Sequence, residues 1–173
     1  MSALVLAPEA DPAEFCAIAR GLGWTLVRDT LRMHHRARQL AFRGPLGEVT
    51  WTEHHPLGLR YISAGDPAAL AQLAALPTLA APALIAACAD PEPTVAMPAL
   101  LALSVAEPEE AFFAALAAHA VHPNIWVRRN ARFLCQYLND PRTVAAIRPA
   151  MDDPELGALW RAQVERIEGA SPS

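Results

Sequence analysis

The chain has 173 residues, of which 53% are hydrophobic and 18% charged, and its formal net charge is −4 at neutral pH. This composition excludes intrinsic disorder, because a chain of this length and apolar content can bury a core. The acidic balance gives no bulk attraction to nucleic acid or anionic lipid. All 14 basic residues are Arg, which we attribute to a GC-rich genome rather than to phosphate binding.

A helix is predicted near the start of the chain, with Asp11 as its N-cap and Pro12 in its first turn. It is expected to end at Gly21 or Gly23. The residues before it lack a basic region and turn acidic early, which is not typical of a secretory signal.

Apolar and polar residues then alternate with a period of two, which predicts three or four antiparallel strands. The alternating segments are 24–29, 38–42, 49–53 and 59–63. The turn Gly44-Pro45-Leu46-Gly47 sets a register for one hairpin. In that register the facing pairs are Arg43 with Glu48, Phe42 with Val49, Leu40 with Trp51 and Arg38 with Glu53.

From Asp66 onward the pattern is helical, with breaks predicted at Pro77, Pro91, Pro108, Pro123, Pro141 and Pro154. The uncharged stretch Pro67 to Ala89 is long enough to cross a bilayer. It is rich in Ala and is interrupted by two prolines, so we predict short core helices and no membrane span.

Similar residues recur every 31 or 32 positions in the helical part, which predicts a repeated pair of helices. The recurring sets are Pro91, Pro123 and Pro154; Ala99, Ala131 and Ala162; Val95, Val127 and Ala158; and Leu84, Leu116 and Ile147. Each pair has an apolar face that it cannot cover alone, so neighbouring pairs are expected to stack.

These segments resemble HEAT-like repeats over roughly residues 79–168. The resemblance rests on Asp90-Pro91 with the residues that follow, on His122-Pro123-Asn124 before Val127-Arg128-Arg129-Asn130-Ala131, and on Asn139-Asp140-Pro141-Arg142-Thr143-Val144. The last unit departs from the pattern, since Ala158-Leu159 stands where Val-Arg is expected. Asp152-Asp153-Pro154 is therefore predicted to open a terminal capping helix.

The expected fold class is α+β. An N-terminal helix and small antiparallel β-meander, residues 1–66, would cap an α-α superhelical repeat stack, residues 67–168, before a disordered tail, residues 169–173. Such stacks are binding scaffolds.

Chemistry at a catalytic or metal site has little support in the sequence. His34-His35 and His54-His55, beside Glu53, suggest a metal site, but the hairpin register puts His34 and His55 on one face and His35 and His54 on the other. We therefore expect histidines at edges or in loops, with a metal site as the alternative. The cysteines Cys16, Cys88 and Cys135 are predicted to be buried thiols of a reducing, cytoplasmic compartment. We predict no catalytic residues and no cofactor.

A partner-binding surface is predicted instead, and it consists of Trp126, Arg128, Arg129, Arg132 and Trp160. Arg128 and Arg132 lie one helical turn apart, which would suit an acidic protein or peptide. The alternative is structural: an Arg of the Val-Arg motif would bond an acidic turn at Asp140 or Asp153. The tryptophans are expected in the core unless one proves exposed, in which case it would anchor a partner.

The function expected from these features is a non-catalytic protein-interaction or assembly scaffold. Two alternatives come from the resemblance, because HEAT-like folds include the alkylpurine DNA glycosylases, which bind DNA, and the phycobilin lyases. Nucleic acid is disfavoured by the acidic composition and the absence of Lys.

Overall fold

The computed structural model describes residues 2–30, 37–54, 58–105, 110–138 and 140–170. The chain divides into two compact units, the first formed by residues up to Ala83 and the second by most of the chain from Leu84 onward. The first unit carries an antiparallel sheet and the second is helical, which confirms the predicted α+β class.

Within the described residues, the sheet of the first unit has five strands in the order β1-β5-β4-β3-β2, and all neighbours are antiparallel. Their bounds are β1 Ser2–Val5, β2 Thr25–Thr30, β3 Arg38–Gly44, β4 Gly47–His54 and β5 Leu59–Ala64. Strands β2 to β5 form the predicted meander. Strand β1 is not among the predicted strands, because its four residues are too short to display an alternation.

The β3–β4 hairpin has the predicted register, from Arg43 opposite Glu48 to Arg38 opposite Glu53. Gly47 has a φ of +103°, a conformation that glycine adopts without steric cost, so it allows the two-residue turn Pro45-Leu46. The apolar pairs of the hairpin are buried, and Arg43 lies 3.3 Å from Glu48.

Helix α1, Pro12–Gly21, begins as predicted, because the Asp11 carboxylate accepts a hydrogen bond from the Ala13 amide at 2.8 Å. It buries Phe15 and Ala19 in the same cluster as the apolar sheet residues. The short helix α2, Pro67–Ala71, contributes to that cluster too. The first unit therefore extends past residue 66, where the sequence placed the boundary.

Six helices follow in the described part of the chain. Their bounds are α3 Ala81–Cys88, α4 Pro93–Val105, α5 Glu110–Ala120, α6 Ile125–Cys135, α7 Pro141–Ile147 and α8 Gly157–Ala170. A 3-10 segment, Arg148–Asp152, extends α7. The predicted breaks at Pro91, Pro123 and Pro154 lie between helices, whereas Pro108 and residues 171–173 lie outside the described residues.

Helices α4, α6 and α8, which follow α3, α5 and α7 in the chain and which we call the second helices, bury four matching rows of side chains. The rows are Ala96, Val127, Trp160; Ala99, Asn130, Gln163; Leu100, Ala131, Val164; and Leu103, Leu134, Ile167. Within each row the spacing is 31 and then 33 residues. The predicted rows are wrong in part, because Val95, Ala158 and Ala162 are exposed. The buried face begins five residues after Pro91, four after Pro123 and six after Pro154, at Ala96, Val127 and Trp160, so the distance from the proline does not fix which side of the helix faces inward.

The first helices agree with the prediction, since Leu84, Leu116 and Ile147 are all buried. Helix α5 packs against both α6 and α7, and α7 packs against α8. The pair α5 and α6 therefore packs against the pair α7 and α8.

Three buried polar side chains contact main-chain carbonyl groups earlier in the chain: His119 to Cys88, Asn130 to Met97 and Gln163 to Cys135. Cys88 and Cys135 end α3 and α6, so the contacts of His119 and Gln163 satisfy carbonyl groups that a helix leaves without an intrahelical donor. Met97 lies inside α4, so the Asn130 contact is an additional one. A carbonyl can only accept, so Nε2 of His119 carries the proton.

Candidate partner-binding face

Helix α6 presents the most unusual surface in the helical unit. It begins at a polar cap, where the Asn124 side chain accepts a hydrogen bond from the Trp126 amide at 2.8 Å. The main-chain N–H of Asn124 in turn donates a hydrogen bond to Nδ1 of His122 at 3.0 Å. The helix, IWVRRNARFLC, contains three Arg and no acidic residue.

Three aromatic side chains on and just after α6 are exposed, and we call them the aromatic strip. They are Trp126 at 61% exposure, Phe133 at 44% and Tyr137 at 71%. Trp126 and Phe133 are seven residues, or two helical turns, apart, so they lie on one face. The rings of Phe133 and Tyr137 meet edge to face, with centroids 5.3 Å apart.

Arg129 belongs to the same face. Its guanidinium carbon lies 5.0 Å from the centre of the Trp126 ring, which is a cation–π contact. This contact holds a flexible charge beside an aromatic surface. The strip therefore combines apolar area with a positioned positive charge, as the anchors of protein interfaces do.

The exposed position of Trp126 recurs in the other second helices. Val95 in α4 is 41% exposed and Leu159 in α8 is 42% exposed. Each of the three directly precedes a member of one buried row, so they occupy equivalent positions. Each of these three helices therefore carries an exposed apolar side chain at this position.

Arg128, the second predicted site residue, has a structural role. Its Nε lies 2.7 Å from Oδ2 of Asp153, although the N–H bond does not point at that oxygen, so the contact is an ion pair. Nη1 donates to the carbonyl groups of His122 and Pro123 at 2.9 and 3.0 Å. Of the two acidic turns considered from the sequence, Asp153 is the partner.

Asp140 lies in the other acidic turn and caps α7. Its Oδ2 atom is 2.6 Å from Nη2 of Arg142 in the same helix. Hydrogen bonds from Arg142 lower the pKa of Asp140. For Asp153, burial raises the pKa, but the amides of Leu156 and Glu155 and the charge of Arg128 outweigh it, so its pKa falls below 3.8. Both carboxylates are thus stabilised in their charged form.

Arg132 is half-buried, one turn after Arg128. With the Gln136 amide oriented to satisfy both groups, its oxygen accepts from Nη1 and Nη2 of Arg132 at 3.0 and 3.2 Å. This neutral partner leaves the charge of Arg132 uncompensated.

Trp160 must be removed from the predicted surface, because it is completely buried. It occupies the row of Ala96 and Val127, on the inward face of α8. Trp126 precedes that row by one residue and faces outward. Two tryptophans near the starts of second helices therefore have opposite environments.

Phe133 and Tyr137 were not among the partner-binding residues predicted from the sequence. The available signal was their spacing from Trp126, which places three aromatic residues along one side of a helix. That pattern does not by itself distinguish an exposed strip from a buried one, and the burial of Val127, Asn130 and Ala131 on the opposite side decides it.

Of the four histidines in the predicted metal site, His34, His35 and His55 lie outside the described residues. His54 is half-buried beside a pocket of about 120 Å³ that Glu53 and Arg60 help to line. The Glu53 carboxylate lies 3.4 Å from Nε of Arg60 and 3.8 Å from Nη1 of Arg38, so two guanidinium groups neutralise it. Among the described residues no group of three His, Cys, Asp or Glu side chains could hold a metal ion.

The cysteines are poor nucleophiles. Burial raises the pKa of Cys88 to about 11 and that of Cys135 to about 12. Burial also raises the pKa of Cys16. Since the thiolate is the reactive form, none of the three is activated.

No protein family model, curated protein or solved structure matches this chain. Within the described ranges, every helix is too short or too polar to span a bilayer.

Proposed function

We propose that residues 79–168 form a HEAT-like repeat stack. Support comes from the buried rows that recur in α4, α6 and α8, from the packing of α5 on α7, and from the hydrogen bonds of His119 to the end of α3 and of Asn130 to α4. The Arg128–Asp153 ion pair joins the start of one second helix to the loop before the next. These are the features that stacked repeats need, because each unit is stabilised mainly by its neighbours.

On this stack, we propose, the chain binds a protein partner without catalysis. The observation that carries this proposal is the aromatic strip, where Trp126 and Tyr137 are more than half exposed. Contiguous exposed aromatic area is uncommon on monomeric proteins and is typical of interaction sites. Trp, Tyr and Arg are also the residue types that contribute most to binding energy at protein interfaces.

The test is affinity capture from the cells that express the chain, with wild type compared to the double variant Trp126→Ala, Tyr137→Ala. We expect at least one protein to be recovered with wild type and lost with the double variant. Leu46→Ala, which shortens an exposed apolar side chain on the β3–β4 turn, is the matched control and should leave recovery unchanged. Reconstitution from purified components would then establish direct binding.

Identical recovery by wild type and the double variant would contradict the proposal. Recovery of nucleic acid that depends on Trp126 would favour a nucleic-acid-binding module. Visible absorbance in the purified protein would favour the lyase-like accessory.

A further inference from the structure

The charges around the aromatic strip define which partner it suits. Helix α6 has three arginines and no acidic residue, and Arg128 is neutralised by Asp153 and Glu155. In the described residues, neither Arg129 nor Arg132 has a carboxylate within ion-pair distance. The strip is thus locally positive on a chain whose formal net charge is −4.

The contact of Arg129 with Trp126 determines where its charge is presented. The guanidinium carbon lies over the indole ring, 5.0 Å from its centre, so the charge is held beside an exposed aromatic surface. A guanidinium has five N–H donors, so a carboxylate of the partner can accept two hydrogen bonds from it. The same pair offers an apolar surface and an anion site side by side.

From this geometry we infer that the partner is an acidic protein segment with apolar side chains. The inference rests on the proposed function. Its apolar side chains would pack on Trp126, Phe133 and Tyr137, and its carboxylates would pair with Arg129 and Arg132. The strip runs from Trp126 to Tyr137, about 16 Å at the rise of a helix, which matches a partner helix of about three turns.

A nucleic acid fits the same surface less well. A strand carries one negative charge per phosphate, so proteins that bind it line a whole track with cations. Here two uncompensated arginines stand on an acidic molecule, which suits a few carboxylates rather than a polyanion.

The experiment selects random peptides of about three helical turns, displayed on phage, against the full chain. Selected peptides are then synthesised with a fluorescent label, and binding is measured by anisotropy at low and high salt. We expect sequences rich in Asp or Glu and in aromatic or aliphatic residues. Their affinity should fall about tenfold or more with Trp126→Ala and with Arg129→Glu, and should weaken with salt.

Arg20→Glu is the matched control, because it makes the same charge change on an exposed residue of α1. It should leave affinity unchanged. Selection of neutral or basic peptides whose binding requires Trp126 would contradict an acidic partner but would agree with the proposed function. Failure to enrich peptides, or enrichment of peptides insensitive to Trp126→Ala, would contradict both. Tight binding of a labelled oligothymidylate that is lost with Trp126→Ala would assign the strip to nucleic acid.

Discussion

The Arg128 guanidinium and the Asp153 carboxylate form an ion pair that joins the start of α6 to the loop before α8, with Nε 2.7 Å from Oδ2. Both side chains are largely shielded from water, so the attraction is screened less than that of a surface pair. The pair therefore fixes the position of one helix relative to the next.

Loss of this guanidinium should destabilise the helical unit. Arg128→Met keeps an unbranched apolar stem but removes the guanidinium, and with it every contact to Asp153 and to the carbonyl groups of His122 and Pro123. We expect the free energy of unfolding to fall by about 2 kcal/mol. Urea denaturation followed by far-UV circular dichroism measures it. The control Arg129→Met, on the exposed face, should change it little, and equal losses in the two variants would contradict a clamping role for Arg128.

Stability should depend on pH through His119. Burial, opposed by the hydrogen bond to the Cys88 carbonyl and reinforced by the charge of His122, lowers the pKa of His119 below 6.5. Between the two pKa values the unfolded chain is protonated at His119 and the folded chain is not. This contribution to the free energy of unfolding is therefore complete above pH 6.5 and is lost as the pH falls from 6.5 through the lowered pKa.

Urea midpoints measured between about pH 7 and pH 5 should decline for wild type. His119→Leu should flatten that decline, whatever its effect on stability at neutral pH. An equally steep decline in the variant would exclude His119 as the cause.

Gly44 should not tolerate a side chain. A Cβ atom at this position would lie 2.5 Å from Nε1 of the buried Trp24 ring, so the ring would have to move. We expect Gly44→Ala to cost about 2 kcal/mol of unfolding free energy. Gly21→Ala is the matched control, because a Cβ there meets no atom within 4 Å. Thermal unfolding of the two variants distinguishes them, and comparable midpoints would refute the close approach to Trp24.

The thiols of Cys88 and Cys135 should be unreactive in the folded protein. With pKa values of about 11 and about 12, almost no thiolate is present at mildly alkaline pH, and both side chains are buried. A chromogenic disulfide reagent should modify them only after denaturant is added. Mass spectrometry of the partly modified protein identifies the site, and rapid native labelling of either cysteine would contradict this packing.

Local structure could be predicted from the sequence where one short motif, such as a turn or a helix cap, determines it. The β3–β4 register followed from one turn and from opposite charges in facing positions, and α1 followed from its cap. Strand β1 lacked such a signal, since its pairing with β5 joins residues about 60 positions apart in the chain.

The candidate partner-binding face was harder to predict, because it depends on which side of each helix faces the core. Prolines mark the loops but not the rotation of the helix that follows, so Val95 and Ala158 were assigned to the core and are exposed. The same uncertainty left Trp160 among the predicted partner-binding residues, although the tryptophans were expected in the core unless one proved exposed. The partner of Arg128, Asp153, was among the alternatives considered. One residue corresponds to about 100° around a helix and two residues to about 200°, so an error of one residue in α4 or two in α8 moves a side chain from the core to the surface.

Three polar contacts between helices run in one direction along the chain. His119, Asn130 and Gln163 each contact a carbonyl group made earlier, so a growing polypeptide has these acceptors in place before their donors emerge. The Arg128–Asp153 ion pair runs the other way, because its carboxylate is made last. Helices made late can therefore dock onto carbonyl groups that are already presented, whereas Arg128 stays without this partner until residue 153 has been made.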